Sequence, residues 1–419
     1  MLRGFVGWCS LALVVRVVTA VLFAGPLERG MSEGIAHDAA LFYMPLATSL
    51  IQDHAYTLHG QPATSHLPGY PLLLAGALML FDSPATAVLT LQIGFGSLVV
   101  GLVFVLGTLV VGRRVGHLAA LLAALFPDLV AYSLLNLSES PFLAFELAAS
   151  LALVWALRTD RRGADVVLGV CLALALLVRE SSAALVALFA GILLWTRSGA
   201  ERWRGPVTVV AIVLAFLAPW WVRNAVVAGS FVPLTSKGSW NFYQGTMLRP
   251  YQWSDHRNRG VVLDPEQAAR EAEVARELKA AASDAEAESL LRRAAFDNLR
   301  RDPLGQALHV GHKLVWLWSA NIGPRHSERI GAGALLQLAS LAHFAVLGLG
   351  LVGLWMLRRN REAMLVLALP VLLMTAVHAI VGSGEPRYHF QAWPALMIGA
   401  AALLDALLPE SLRLRLSEA

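Results

Sequence analysis

The chain has 419 residues, of which 57% are hydrophobic and 15% are charged, with a mean hydropathy of +0.60. This composition excludes an ordinary soluble domain, in which about a quarter of the residues carry a charge. The net charge is only +4, and no basic tract with interleaved aromatic residues occurs, so nucleic acid is not an expected partner. The apolar residues form continuous runs, which favours an all-α, polytopic helical membrane protein over a barrel.

Ten apolar runs are long enough, or nearly so, to cross about 30 Å of hydrocarbon. They are residues 5–25, 85–111, 116–135, 141–157, 164–179, 182–197, 206–223, 333–357, 362–381 and 388–408. Arginines cluster at alternate ends of these runs, for example at Arg113, Arg158 and Arg358. Positive charge tends to remain in the cytoplasm, so these ends and both termini are expected inside.

The shorter apolar run 69–81 is predicted to be an interfacial or re-entrant helix on the outside, and the run 306–320 is predicted to lie near the membrane interface. The count becomes eleven or twelve spans if the second run crosses, so we expect about 10–12. Residues 1–419 are interpreted as one transmembrane domain with two long outer loops, 26–84 and 224–332.

Both outer loops are predicted to contain helices. Residues 39–51 are amphipathic and suit a membrane surface. In the second loop, Asp264 and Pro265 are typical of a helix start. The Ala-, Glu- and Arg-rich run 271–301 is predicted to be helical and to stop at Asp302 before Pro303.

Asp38 is the leading catalytic candidate. It lies in the first outer loop beside His37, close to the expected lipid boundary, where a carboxylate is costly and tends to be functional. Partial burial would raise its pKa and make it a usable general base. The alternative is a helix cap, since Asp is common in that position.

Histidines are frequent in the same loop, and His37 and His66 are the candidates for contact with a substrate. With His54 and His59 they match no zinc-binding spacing. No metal ligand is therefore assigned, no cofactor is certain, and a divalent metal remains an open expectation.

Four further residues lie at expected outer ends of spans. Glu139 is either a cap or a second carboxylate facing Asp38, and Arg179 either pairs locally or faces the pocket. Arg223 and Arg387 are cations placed against the positive-inside tendency. A guanidinium can hold phosphate oxygens with two hydrogen bonds, so both are predicted to bind a lipid phosphate.

These motifs, taken in order, resemble the GT-C superfamily of membrane glycosyltransferases. The nearest groups are family-39-like proteins: protein O-mannosyltransferases, aminoarabinose transferases of lipid A and core galacturonosyl transferases. The motifs are His37-Asp38 with Tyr43, Leu67-Pro68-Gly69-Tyr70-Pro71, Leu137-Ser138-Glu139-Ser140-Pro141, Arg179-Glu180, Pro219-Trp220-Trp221-Val222-Arg223-Asn224, Asp302-Pro303 and Pro386-Arg387-Tyr388.

The resemblance implies a polyprenyl-phosphate sugar as donor and a lipid, glycan or protein acceptor, at the outer face of a bacterial cytoplasmic membrane. Asp38 matches the family's acidic residue of the first loop, and His66 stands where some relatives have a lysine, so it is assigned to the donor phosphate. The motifs also place Tyr43, Tyr70 and Tyr388 in the substrate pocket.

Two other classes remain open from the sequence. A secondary transporter would have broken spans, charges near mid-membrane and repeated halves, whereas these charges lie near span ends. A polyprenyl-linked glycan polymerase or ligase would share the large outer loop and the outward arginines.

Overall fold

The computed structural model describes residues 1–23, 39–159, 161–227, 229, 231–248, 265–281, 284–320 and 333–409. Most of this part of the chain is helical, which confirms the predicted all-α membrane fold. The described strands form one short antiparallel hairpin, in which Thr57 pairs with Pro62 and Leu58 with Gln61. The division into one domain with two outer loops stays a prediction.

The described helices have the following bounds, in chain order. They are Leu2–Leu22, Ala39–Tyr43 (π), Met44–Gln52, Gly69–Leu80, Pro84–Val110, Arg113–Leu125, Pro127–Tyr132, Glu139–Thr159, Arg162–Val178, Ser182–Thr196, Glu201–Val227, Gly238–Thr246, Pro265–Ala280, Asp284–Arg301, Pro303–Leu317, Gly333–Met356, Leu357–Arg359 (3-10), Arg361–Ala363, Met364–Ala368 (π), Leu369–Ile380, Pro386–Ala392 (3-10) and Trp393–Leu407.

Seven of the described helical segments are long and apolar enough to cross a membrane. The other three predicted spans are shorter or broken. The run 116–135 divides at Phe126, whose extended backbone (φ −68°, ψ 121°) is the conformation favoured before Pro127. Arg162–Val178 and Ser182–Thr196 have 17 and 15 residues, because the turn around Arg179 separates them.

The last long helices pack at small residues, as membrane helices commonly do. A methyl group on Gly353 would collide with the carbonyl oxygen of Gly399, and one on Gly350 would come 2.6 Å from the carbonyl oxygen of Leu396. Gly333–Met356 and Trp393–Leu407 therefore approach backbone to backbone, and the contact needs glycine on this seam.

Ion pairs join the arginine-rich ends of the spans. Arg158 pairs with Glu362 at 2.6 Å. Arg197 pairs with Asp165 at 2.8 Å and also donates to the carbonyl oxygen of Ala156 at 3.0 Å. These contacts gather the ends of four spans at one face of the bundle, as expected if the arginine clusters share one side.

The helices predicted in the outer loops are present. Gly69–Leu80 and Pro303–Leu317 have 12 and 15 residues. The second begins a few residues before the predicted run 306–320 and is capped by Asp302, whose carboxylate accepts a hydrogen bond from the backbone N–H of Gly305 at 2.8 Å. Asp264 lies outside the described residues.

Candidate active site

Eight of the ten predicted site residues lie in the described part of the chain. Asp38 and His37 lie outside it. The described chain resumes at Ala39, which is buried in the main hydrophobic core. The segment that begins at Ala39 therefore packs against the bundle.

Tyr43 brings this segment to the motif around Ser138. Its hydroxyl donates to Ser138 Oγ at 3.2 Å. Its ring meets the ring of His66 edge-on, with centroids 5.7 Å apart, and His66 also packs on Phe42 at 4.4 Å. Two predicted residues from the first loop therefore lie together beside the start of the span Glu139–Thr159.

Tyr70 is fully buried and supports this arrangement. Its hydroxyl donates to Asn136 Oδ1 at 2.5 Å and accepts from Gln92 Nε2 at 2.7 Å, while its ring packs edge-on against Tyr43 at 4.7 Å. Because both hydrogen-bonding capacities of the hydroxyl are in use, Tyr70 is suited to fixing Tyr43 and less suited to touching a substrate.

Gly69 explains the Pro-Gly-Tyr-Pro motif in physical terms. A Cβ atom on Gly69 would come 2.5 Å from the carbonyl oxygen of Leu177. The helix that carries Tyr70 can therefore start against the backbone just before Arg179 only when this position has no side chain.

Arg179 and Glu139 form a buried ion pair. Arg179 Nη1 lies 2.8 Å from Glu139 Oε1 and donates to Ser138 Oγ at 3.1 Å. The Glu139 side chain is 3% exposed and the Arg179 side chain 17%. Burial lowers the pKa of Arg179, but Glu139, Tyr43 and Tyr388 together outweigh burial, so the pKa is raised and the guanidinium stays charged.

Arg387 joins the same cluster through Tyr388. The guanidinium carbon of Arg387 lies 5.3 Å from the Tyr388 ring centroid, and that of Arg179 lies 5.8 Å from the same centroid. Arg387 also pairs with Glu385 at 2.9 Å, and Tyr388 stacks on His378 at 4.5 Å. Two arginines, each paired with a carboxylate, therefore lie near one aromatic ring.

Arg223, in contrast, is used by the hairpin of the first loop. It donates to the carbonyl oxygens of Ala63 at 2.6 Å and Tyr56 at 2.5 Å. The Tyr56 hydroxyl in turn donates to the carbonyl oxygen of His66 at 3.0 Å. The partners of Arg223 thus differ from those of Arg387, and its contacts favour a role in holding the hairpin and, through it, His66.

The second outer loop also contributes residues to the candidate site, which the sequence did not predict. Glu180 accepts hydrogen bonds from Thr235 and, at 3.1 Å, from Asn241. Ser236 donates through its backbone N–H to the carbonyl oxygen of Thr64 at 3.1 Å. These contacts place residues 231–248 beside the first loop. No local pattern in the sequence predicts this contact between the two loops.

Lys237 is the functional candidate that this loop adds. Its Nζ lies 5.2 Å from the Phe42 ring, the ring that also packs on His66. The site thus combines Arg179, Arg387 and Lys237 with the His66 imidazole, an arrangement that can attract an anion and stabilise negative charge on a leaving group.

Asp128 does not join Glu139 in this cluster. It lies with His343 and His389, and each of the three residues offers one ligand atom within 4.8 Å of the others. Neither histidine stands out in the sequence, since each lies in or beside a long apolar run.

Comparisons with known proteins bear on both fold and site. Residues 64–222 match the family described as dolichyl-phosphate-mannose-protein mannosyltransferase, a stretch that contains Tyr70, Glu139 and Arg179. A comparison with curated proteins finds no match.

Two solved structures have a similar fold. ArnT from Cupriavidus metallidurans, crystallised with undecaprenyl phosphate, has a TM-score of 0.58 and 15% identity, covering 99% of this chain and 62% of ArnT. The oligosaccharyltransferase of Archaeoglobus fulgidus has a TM-score of 0.56 and 14% identity, covering 99% of this chain and 51% of that protein.

At these identities the similarity establishes the fold, and the chain spans between about half and three fifths of the length of these relatives. The matching fold and the family match over 64–222 confirm the resemblance drawn from the motifs. The chain therefore has the fold of these two solved proteins, and its residues 64–222 match the mannosyltransferase family.

Proposed function

We propose that this protein is a GT-C-type glycosyltransferase that moves a hexose or pentose from a polyprenyl-phosphate donor to a lipid, glycan or protein acceptor. The observation that carries the proposal is the pair of guanidinium groups of Arg179 and Arg387, whose central carbons lie 5.8 and 5.3 Å from the centroid of the same Tyr388 ring. The similar ArnT binds undecaprenyl phosphate, and the similar archaeal enzyme has been solved with dolichol-phosphate.

The donor phosphate is assigned to Arg179 and Arg387. A guanidinium has five N–H donors, so Arg179 can hold Glu139 and Ser138 and still donate to a phosphate oxygen. Two cations this close repel each other, and a phosphate between them relieves the repulsion. His66 lies at the first-loop side of the cluster and remains a candidate for the same phosphate.

Asp38 is assigned as the general base. It takes the proton of the acceptor hydroxyl while that oxygen attacks the anomeric carbon of the donor sugar. The bond from the anomeric carbon to the phosphate oxygen breaks, and the polyprenyl phosphate leaves with the electron pair, stabilised by the arginines. A single displacement of this kind inverts the anomeric configuration.

The active site is assigned to the outer face of a cytoplasmic membrane. The arginine-rich ends, with the Arg158–Glu362 and Arg197–Asp165 pairs, belong in the cytoplasm by the positive-inside tendency. Arg179 lies at the end of Arg162–Val178 opposite to the Asp165 end, which favours the outer side for the site.

The test is sugar transfer by the purified full chain in detergent, with radiolabelled polyprenyl-phosphate sugar and candidate acceptors. General-base assistance contributes about 10²–10⁴-fold, so Asp38→Asn should lower turnover at least a hundredfold with an unchanged melting temperature. Asp53→Asn, at an exposed position after Met44–Gln52, is the matched control and should keep wild-type turnover.

Near-normal turnover of the Asp38→Asn variant would exclude the base role. Arg387→Gln should raise the donor KM and lower kcat, because its charge acts on the bound and the leaving phosphate. Uptake of label into sealed vesicles without transfer to any acceptor would favour a transporter and contradict the proposal.

A further inference from the structure

A second cluster, of side chains that can bind a metal ion, takes no part in the proposed transfer mechanism. Asp128, His343 and His389 are each at most 2% exposed. They come from the short helix Pro127–Tyr132, the long helix Gly333–Met356 and the turn at the start of the last span. Their ligand atoms lie within 4.8 Å of one another.

Hydrogen bonds to the backbone determine which nitrogen of each ring is protonated. His343 Nε2 lies 3.0 Å from the carbonyl oxygen of Trp318, and His389 Nδ1 lies 2.5 Å from the carbonyl oxygen of Leu317. A carbonyl oxygen only accepts, so each of these nitrogens must carry the proton. In the neutral rings, His343 Nδ1 and His389 Nε2 then present lone pairs.

The three inward-facing atoms are therefore all acceptors. His343 Nδ1, His389 Nε2 and Asp128 Oδ2 are buried without a hydrogen-bond partner. His343 Nδ1 and Asp128 Oδ2 are 3.5 Å apart, which is longer than a hydrogen bond between nitrogen and oxygen. Buried acceptors that face each other without a donor are costly, and a cation between them removes that cost.

We propose that Asp128, His343 and His389 bind a divalent transition-metal ion, with Zn²⁺ as the best fit. Imidazole nitrogen and carboxylate oxygen are ordinary zinc ligands, and a ligating histidine usually donates its other N–H to a carbonyl or carboxylate. Two ligands at about 2.0–2.1 Å from a tetrahedral zinc lie about 3.3 Å apart. The 3.5 Å between His343 and Asp128 is already close to that separation.

The ion would position the neighbouring part of the active site. His389 directly follows Tyr388 and Arg387, so a metal on His389 ties their turn to two other helices of the bundle. Metal binding itself follows from the three ligands and holds whether or not the proposed sugar transfer is correct.

The test measures metal in the full chain, purified in detergent, loaded with Zn²⁺ or Co²⁺ and passed over a chelating resin. Wild type should retain close to one ion per chain, and bound Co²⁺ should show the visible absorption of a low-coordinate nitrogen and oxygen site. Asp128→Asn and His389→Gln should bind at least tenfold more weakly, since even second-sphere changes cost 10–100-fold. His312→Gln, at an exposed position, is the control and should bind as wild type does.

A ligand variant could fail to fold, so the wild-type chain supplies a second measurement. A strong chelator should lower its melting temperature, and added Zn²⁺ should restore it. A wild-type chain that stays metal-free after loading, with a melting temperature insensitive to the chelator, would show that protons alone neutralise the cluster and would overturn the proposal. Variants that retain the metal as well as wild type would also overturn it.

Discussion

The ion pair of Glu139 and Arg179 gives the most direct test of the site's geometry. Glu139→Gln keeps the size of the side chain and removes its charge. At an effective dielectric constant of about 20, opposite charges about 4 Å apart attract by about 4 kcal/mol. The side chains are only 3% and 17% exposed, so the variant leaves a buried guanidinium without its partner. We expect the free energy of unfolding to fall by about 3 kcal/mol.

Arg179→Gln should cost a similar amount, because it strands the Glu139 carboxylate and removes the hydrogen bond to Ser138. The double variant should lose less than the sum, since two neutral amides carry no uncompensated charge. The coupling energy of the double-mutant cycle should therefore be about 2–3 kcal/mol. It can be measured by SDS-induced unfolding in mixed micelles, followed by tryptophan fluorescence and far-UV circular dichroism.

An exposed pair of the same chain is the control. Arg270 and Glu266 lie 2.6 Å apart, with side chains 34% and 77% exposed, and their coupling should be below about 0.5 kcal/mol. Additive effects of Glu139→Gln and Arg179→Gln, within about 0.5 kcal/mol, would refute the buried pair and with it the proposed arrangement of the phosphate site.

Two further predictions concern packing and pH. Gly69→Ala should lower stability by about 1–3 kcal/mol in the same unfolding assay, because its methyl group meets the Leu177 carbonyl, whereas Gly76→Ala, with open space around it, should not. Burial lowers the pKa of Lys313 to about 8 from 10.5, so between these values the folded state binds fewer protons than the unfolded state. The melting temperature of wild type should therefore rise between pH 7 and pH 10, and an equal rise in Lys313→Met would contradict this account.

The sequence predicted the elements of the fold better than their interruptions. The helix stop at Asp302 and Pro303 was readable because both residues act locally, one as a cap and one as a breaker. The break at Pro127 has an equally local cause, but the apolar run continues through it to residue 135 and outweighed the proline in the prediction.

The sequence predicted a set of residues for the candidate site. It did not predict which of these residues contact one another. Arg179 is next to Glu180 in the chain, yet its partner is Glu139, forty positions earlier. Arg223 is engaged by backbone carbonyls, which carry no residue-specific signal. Contacts between separate helices depend on packing, which hydrophobic periodicity in one sequence does not specify.

The glycine seam between Gly333–Met356 and Trp393–Leu407 determines the axial register of the two helices as well as the distance between them. Sliding one helix past the other by a single residue would translate it by about 1.5 Å. It would also replace Gly353 opposite Gly399 with a side chain that the gap cannot hold. The seam therefore fixes the register of the two helices. Because Arg387 lies a few residues before the second helix, its position along the bundle axis depends on Gly353 and Gly399, neither of which has a side chain.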